Sequence, residues 1–316
     1  MSLILLVIIY KSFSQKPPTF YGLLPKKSIQ PLSSSEIPTR LQKNNTFYPF
    51  ILNEIPSSLS YCGTYRKRNP HKTEDYCIKQ TMNQGECGGC YAMALAQVLQ
   101  AHYTHLTLKH QAFSTQQIID CSNNNGCSGG WPASVLESLQ YFVSEIEYPY
   151  RLITINGNST NNYKKECIRG RRTKIHVSDY KEVIGPITFE QIKVLLIEYG
   201  PFIGMIYSND QLRKYSGGIL HLDCPVVPTL NHAIIVVGYG QENQEKYIII
   251  RNSWGNSWGE MGYARISMND LCGLDGIKYS DYPTILYLKT QCLFLFFSLN
   301  IITHNVIVPQ QVYSNY

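Results

Sequence analysis

The run Gln84-Gly85-Glu86-Cys87-Gly88-Gly89-Cys90-Tyr91 carries the reading of this chain. From Cys90 onward Ala92, Leu95, Ala96, Leu99, Tyr103 and Leu106 recur at spacings of three and four, with strong helix formers between them. That period predicts a buried helix whose first turn holds Cys90. A thiol at such a place meets backbone N–H groups outside the helical ladder, and these favour the thiolate. Two later runs complete a set. Asn231-His232-Ala233 offers an imidazole, and Arg251-Asn252-Ser253-Trp254-Gly255 offers an amide that orients it. Gln84, six residues before Cys90, supplies an amide N–H for an oxyanion, beside the backbone N–H of Cys90. Taken singly, a cysteine usually packs or bridges, a histidine is usually a satisfied core or surface group, and an asparagine before serine usually turns the chain. Taken together and in this order, they are the groups that acyl transfer through a thioester requires.

His232 follows Cys90 by 142 residues and Asn252 by 162. This order and spacing resembles the papain family of cysteine peptidases. The resemblance covers about residues 55 to 283 and rests on further landmarks in the family's order. Ile55-Pro56 stands where the family's mature chain begins. Cys121 and Cys127-Ser128-Gly129-Gly130-Trp131-Pro132 match its second cysteine-rich segment. Gly200-Pro201, Tyr215-Ser216-Gly217-Gly218-Ile219, Gly238-Tyr239-Gly240 and Trp258-Gly259-Glu260-Met261-Gly262-Tyr263 follow. Two positions depart from the commonest pattern: Gly89 replaces Ser or Ala, and Tyr91 replaces Trp.

The resemblance implies a cathepsin-like endopeptidase in which Cys90 is the nucleophile, His232 its acid-base partner, Asn252 the residue that fixes the imidazole tautomer, and Gln84 the oxyanion donor. Trp254 would shield the His232–Asn252 contact. Gly129, Gly130, Trp131, Pro132, Met205, Asn231 and Ala233 would contact substrate. Ile277 would floor the pocket for the side chain two residues before the scissile bond, and an aliphatic floor implies a hydrophobic preference there, unless Asp275 turns inward. Implied disulfides are Cys87–Cys127, Cys121–Cys167 and Cys224–Cys272. Cys62 and Cys77 pair by elimination, and Cys292 is left over in the tail. Expected partners are peptide or protein substrates and cystatin-like inhibitors of a monomer, with no cofactor and no metal. A redox reading of Cys87-Gly88-Gly89-Cys90 competes, but the residues before Cys87 are polar and broken by Pro70 rather than part of a βαβ unit. A catalytically weak or inactive homologue acting as a binding protein is the other alternative, resting on Gly89 and the unusual termini, since no member of the triad is missing.

Texture along the chain fits an α+β architecture of two lobes. Helices are expected over 114 to 121, where Ser114 and Gln117 have the spacing of a capping box, and over 132 to 144. After residue 185 short β-branched runs at 202–207, 232–238, 246–251 and 262–267 read as strands. The helical lobe is placed at about 78–182 and the β lobe at about 183–288, with the site in the cleft between them. A hydrophobic content of 44% over 316 residues is ample for a core, and a formal charge of +6 is too small to demand nucleic acid.

Residues 1–14, apolar then rich in small residues, read as a secretory signal. Residues 15–54, rich in Pro, Ser, Lys and Asn, read as a short propeptide. Ten cysteines and the sequons at Asn44 and Asn158 agree with an oxidising, secretory route to a lysosome-like or extracellular location. Residues 289–316 read as an atypical tail, either a disordered extension or the product of a faulty gene model. Its apolar part, 292 to 302, is too short to span a bilayer, which takes ~20 residues, so membrane attachment is not expected.

Overall fold

The computed structural model describes residues 32–33, 55–62, 82–107, 109–139, 141–151, 165–168, 173–177, 180–184, 186–226, 228–275, 283–288 and 293–297. The helices are α1 (Cys90–Thr107), α2 (Thr115–Cys121), α3 (Pro132–Ser138), α4 (Phe189–Tyr199) and the single turn α5 (Asp210–Arg213). The strands are β1 (Leu32–Ser33), β2 (Leu59–Ser60), β3 (Thr173–Val177), β4 (Tyr180–Ile184), β5 (Phe202–Ile206), β6 (Ile219–Leu220), β7 (His232–Glu242), β8 (Glu245–Arg251), β9 (Tyr263–Ser267), β10 (Pro283–Leu288) and β11 (Leu293–Phe297). Helices come first and most strands second, which gives the α+β, two-lobed, papain-like fold.

Nine of the described strands form one sheet in the order β1-β4-β10-β5-β7-β8-β9-β6, with β2 added on β7. β7 is its axis, because its first nine residues are all buried. They pair with β5 on one side and β8 on the other. Strand β2 comes so close that a Cβ on Gly238 would lie 2.3 Å from the carbonyl oxygen of Leu59. Only glycine fits there.

Helix α1 is buried from Cys90 to Thr104 with hardly a polar stripe, as a helix enclosed on all sides must be. It packs on β7, α2 and α3, and so forms the seam between the lobes. Leu106, expected on the buried face, is 43% exposed, because the helix has passed the edge of the core by its last turn. The seam is also stitched by backbone: Gln84 N–H donates to Ser253 O at 2.8 Å and Gly255 N–H to Met82 O at 2.9 Å.

Several elements depart from expectation. Ser114 does cap α2, accepting the Gln117 N–H at 2.9 Å. Gln117 does not complete a capping box, since its amide reaches Tyr141 O and Val143 N instead. Helix α3 stops at Ser138 rather than continuing to 144. Ser138 Oγ turns back onto the carbonyls of Ser134 and Val135, and Phe142 and Ser144 are drawn into bridges with Ile175 and Phe113. Helix α4 was not expected. Thr188 and Gln191 form its full capping box, and Phe189, Ile192, Leu195 and Leu196 are its buried stripe. Within the tail, residues 293–297 form β11, which pairs antiparallel with β3 along one edge in a separate two-stranded sheet. Among the described residues no helix is long and apolar enough to cross a membrane.

Candidate active site

Cys90 opens α1, fully buried. Backbone N–H groups of Ala233, Tyr91 and Cys90 itself face its sulfur and favour the thiolate. Two belong to the helix start and the third follows His232, so β7 and α1 meet at the sulfur. His232 is the first residue of β7 and also fully buried. Its Nε2 lies 2.8 Å from Asn252 Oδ1, just beyond the end of β8. The same oxygen accepts the Ser253 N–H at 2.8 Å. A backbone donor therefore fixes which way the Asn252 amide points, and that in turn makes Nε2 the protonated nitrogen of the neutral ring. Its lone pair then sits on Nδ1. Trp254 stacks on the imidazole, centroids 4.8 Å apart and planes 23° apart, and Trp258 meets Trp254 edge-on. These rings keep water from the His232–Asn252 bond.

Burial pushes the Cys90 thiol up to about 12, against the pull of its three N–H donors. Burial likewise pushes His232 down to about 4, with the Asn252 bond pulling the other way. Each group is thus disfavoured as a lone ion, and the proton that Cys90 and His232 can share belongs to the pair rather than to either alone. The depressed thiol expected from a helix start alone is outweighed by desolvation.

Gln84 is buried against the same centre. Its Nε2 donates to Cys87 O at 2.9 Å, and its Oε1 accepts the Ser253 hydroxyl at 2.6 Å. An amide nitrogen carries two N–H bonds, so Cys87 takes only one. Tyr150 OH donates to Gln84 O at 2.9 Å. Ser253 and Tyr150 were not singled out in the sequence. Ser253 orients both Asn252 and Gln84, and its only signal was its place between Asn252 and Trp254.

Ala233, expected to contact substrate, follows His232 directly on β7. Met205 and Ala233 are direct neighbours across β5 and β7, both buried. Gly129 has φ of 110°, and Gly130 lies flat on Asn124, where a Cβ would come within 2.4 Å of Cγ. Trp131 precedes α3, whose first residue is Pro132. Asn231 holds the Ser208 N–H at 2.8 Å and lines a polar cavity of ≈ 490 Å³ with Ser208, Asn209, Asp210, Arg213 and Asp223. Ile277, Cys77, Cys292, Asn44 and Asn158 lie outside the described residues.

Three disulfides are present: Cys87–Cys127, Cys121–Cys167 and Cys224–Cys272. The first disposes of the redox reading, because Cys87 cannot also pair with Cys90. Cys62 is buried beside β2. Among the described residues no group of His, Cys, Asp and Glu could hold a metal ion.

An α+β fold whose two lobes close over a thiol, an imidazole and an orienting amide is the architecture of a thiol protease. Residues 66–281 match the model of the papain family cysteine protease. "Cysteine proteinase 3" of Entamoeba histolytica is 31% identical over 240 residues, 73% of each chain. Cathepsin K of Mus musculus is 30% identical over 247 residues, covering 75% of this chain and 68% of that protein. Among solved structures, the bromelain protease from Ananas comosus in complex with the E64 inhibitor superposes with a TM-score of 0.55 at 25% identity, over 74% of this chain and 99% of that one. The chain belongs to the papain family and is a cysteine-type endopeptidase.

Proposed function

We propose that this endopeptidase cleaves through a Cys90 thioester, with a hydrophobic side chain preferred two residues before the scissile bond. The observation that carries this reading is the Ser253–Asn252–His232 chain of hydrogen bonds, which leaves the Nδ1 lone pair for the Cys90 proton. Sγ–H gives its proton to Nδ1 while the sulfur bonds to the substrate carbonyl carbon. The carbonyl oxygen becomes an oxyanion held by the Cys90 N–H and the second N–H of Gln84 Nε2. His232 then passes its proton to the amide nitrogen, the C–N bond breaks, and the amine leaves. Water, deprotonated by the same nitrogen, hydrolyses the thioester and regenerates the thiol. Thiol and imidazole exchange one proton without changing their joint charge, so burial penalises this step less than it penalises ionising either group alone.

Trp131, Pro132, Met205 and Ala233 supply apolar walls that favour hydrophobic side chains, and by the family resemblance Ile277 would be the floor. Asn231, which lines the polar cavity, directly precedes His232 in the chain, and the cavity is assigned to the peptide beyond the cut. Epoxides of the E64 type and cystatin-like proteins are the inhibitors this site would take. Secretion, with residues 1–14 as signal and 15–54 as propeptide, is supported by the sequons and the three disulfides. The test is labelling: an epoxide should modify Cys90 and abolish hydrolysis of a Z-Phe-Arg fluorogenic peptide, and Cys90→Ala should be inert at an unchanged melting temperature. Turnover by Cys90→Ala would overturn the mechanism.

A further inference from the structure

Trp131 is gripped from two sides. Asn124 holds its backbone: Oδ1 accepts the Trp131 N–H at 2.9 Å and Nδ2 donates to the Trp131 carbonyl at 3.2 Å. That grip fixes where the side chain starts and leaves the ring's two torsions to be set elsewhere. The second grip sets them. Trp131 Nε1 donates to Glu182 Oε1 at 3.0 Å, with Trp131 5% exposed and Glu182 3% exposed. Glu182 lies on β4, opposite Leu286 of β10, in the sheet of the other lobe. The bond therefore crosses the seam, joining the 129–132 segment to the β lobe. A carboxylate is among the costliest side chains to bury in a strand. Its neighbour Val183, also buried, is the residue type such a strand normally carries.

We propose that Glu182 is a positioning residue for substrate selection, holding the Trp131 indole as a wall of the pocket that receives the side chain two residues before the scissile bond. The proposal rests on the reading above that Trp131 faces substrate. Without the acceptor, a buried indole N–H is left unsatisfied and the ring turns to find a partner. The wall then moves while the Cys90 centre stays intact. Glu182 therefore governs binding of one side chain, visible in KM, and leaves kcat alone.

The experiment compares Z-Phe-Arg with Z-Gly-Arg fluorogenic substrates, which differ only in whether that pocket is filled. The proteins are the wild type, Glu182→Ala, Glu182→Gln, Trp131→Phe and the Glu182→Ala/Trp131→Phe double variant, each counted by active-site titration with an E64-type epoxide. Glu182→Ala should raise KM for the Phe substrate about tenfold, hold kcat within about twofold and leave the Gly substrate unchanged. Glu182→Gln keeps a carbonyl acceptor and should restore most of the loss. In the Trp131→Phe background Glu182→Ala should add nothing. Equal loss on both substrates, or an unchanged Phe-to-Gly ratio in Glu182→Ala, overturns the proposal. Should Glu182→Ala not fold, Glu182→Leu takes its place, because it fills the same volume without an acceptor: an unchanged Phe-to-Gly ratio there is equally fatal. A wild type that does not distinguish Phe from Gly refutes the placing of Trp131 itself, and the Glu182 role with it.

Discussion

Asn252 Oδ1 receives two donors at 2.8 Å, His232 Nε2 and the backbone N–H of Ser253. The second of these does not depend on the histidine. It pins the amide, and the amide pins the tautomer. Asn252→Ala should therefore lower kcat by about 10² while KM moves within about twofold. Steady-state kinetics per titrated site measures this; a change confined to KM would mean that Asn252 serves binding.

Ser253 extends the same argument to the oxyanion side. Its hydroxyl holds Gln84 Oε1 at 2.6 Å, and without it only the Cys87 carbonyl, through Nε2 at 2.9 Å, keeps the amide oriented. Ser253→Ala should cost about tenfold in kcat, less than the ~10² to 10³ lost with a whole oxyanion donor in Gln84→Ala. The double variant should be no worse than Gln84→Ala, since the hydroxyl acts through that amide. Full additivity in the cycle would show that Ser253 acts by another route.

Burial of His232 has a sign that stability measurements can read. Its value falls from 6.5 to about 4 on folding, so between those limits the unfolded chain binds more protons than the folded one. Stability is fully present above pH 6.5 and is lost as pH falls through 4, on the order of 3 kcal/mol for this group. Denaturant midpoints at pH 7 and pH 4 should show a smaller acid loss in His232→Gln than in the wild type. Parallel losses would place the acid sensitivity elsewhere.

Gly89 has a testable backbone consequence. Its φ is not among the positive values, and a Cβ there would meet Ile119 Cδ1 at 3.1 Å, the end of a flexible side chain. Gly89→Ala should then stabilise by about 0.4 to 1 kcal/mol, through the unfolded chain's lost freedom. A lower melting temperature would show that Ile119 does not yield.

Much of this was legible in the sequence because it is written locally. The period from Ala92 to Tyr103 gives α1, and three short runs give the chemical groups. Helix α4 was equally legible, since Thr188, Gln191 and the Phe189, Ile192, Leu195, Leu196 stripe announce it; the strand-rich texture around it hid the signal. Other features could not be read. Glu182 finds Trp131 across 51 residues, and a glutamate in a strand looks like a solvated edge until the other lobe covers it. The balance between helix dipole and desolvation at Cys90 is likewise a property of the closed cleft.

The side chain two residues before the cut remains the sharpest test of the pocket. Met205 and Ala233 are apolar neighbours on adjoining strands, and Trp131 presents a ring whose N–H is already engaged by Glu182. Glu182 is 3% exposed, behind the indole that it holds. An incoming guanidinium would have to displace the indole to reach it, or enter unpaired, and an unpaired buried charge is strongly disfavoured. Burying Phe or Leu instead contributes about 1.5 to 3 kcal/mol, which corresponds to roughly 10- to 10²-fold in kcat/KM. Z-Phe-Arg should therefore be cleaved at least about tenfold faster than Z-Arg-Arg. Faster turnover of Z-Arg-Arg would mean that a carboxylate is open to the pocket, with Glu182 and Asp275 the two to mutate first.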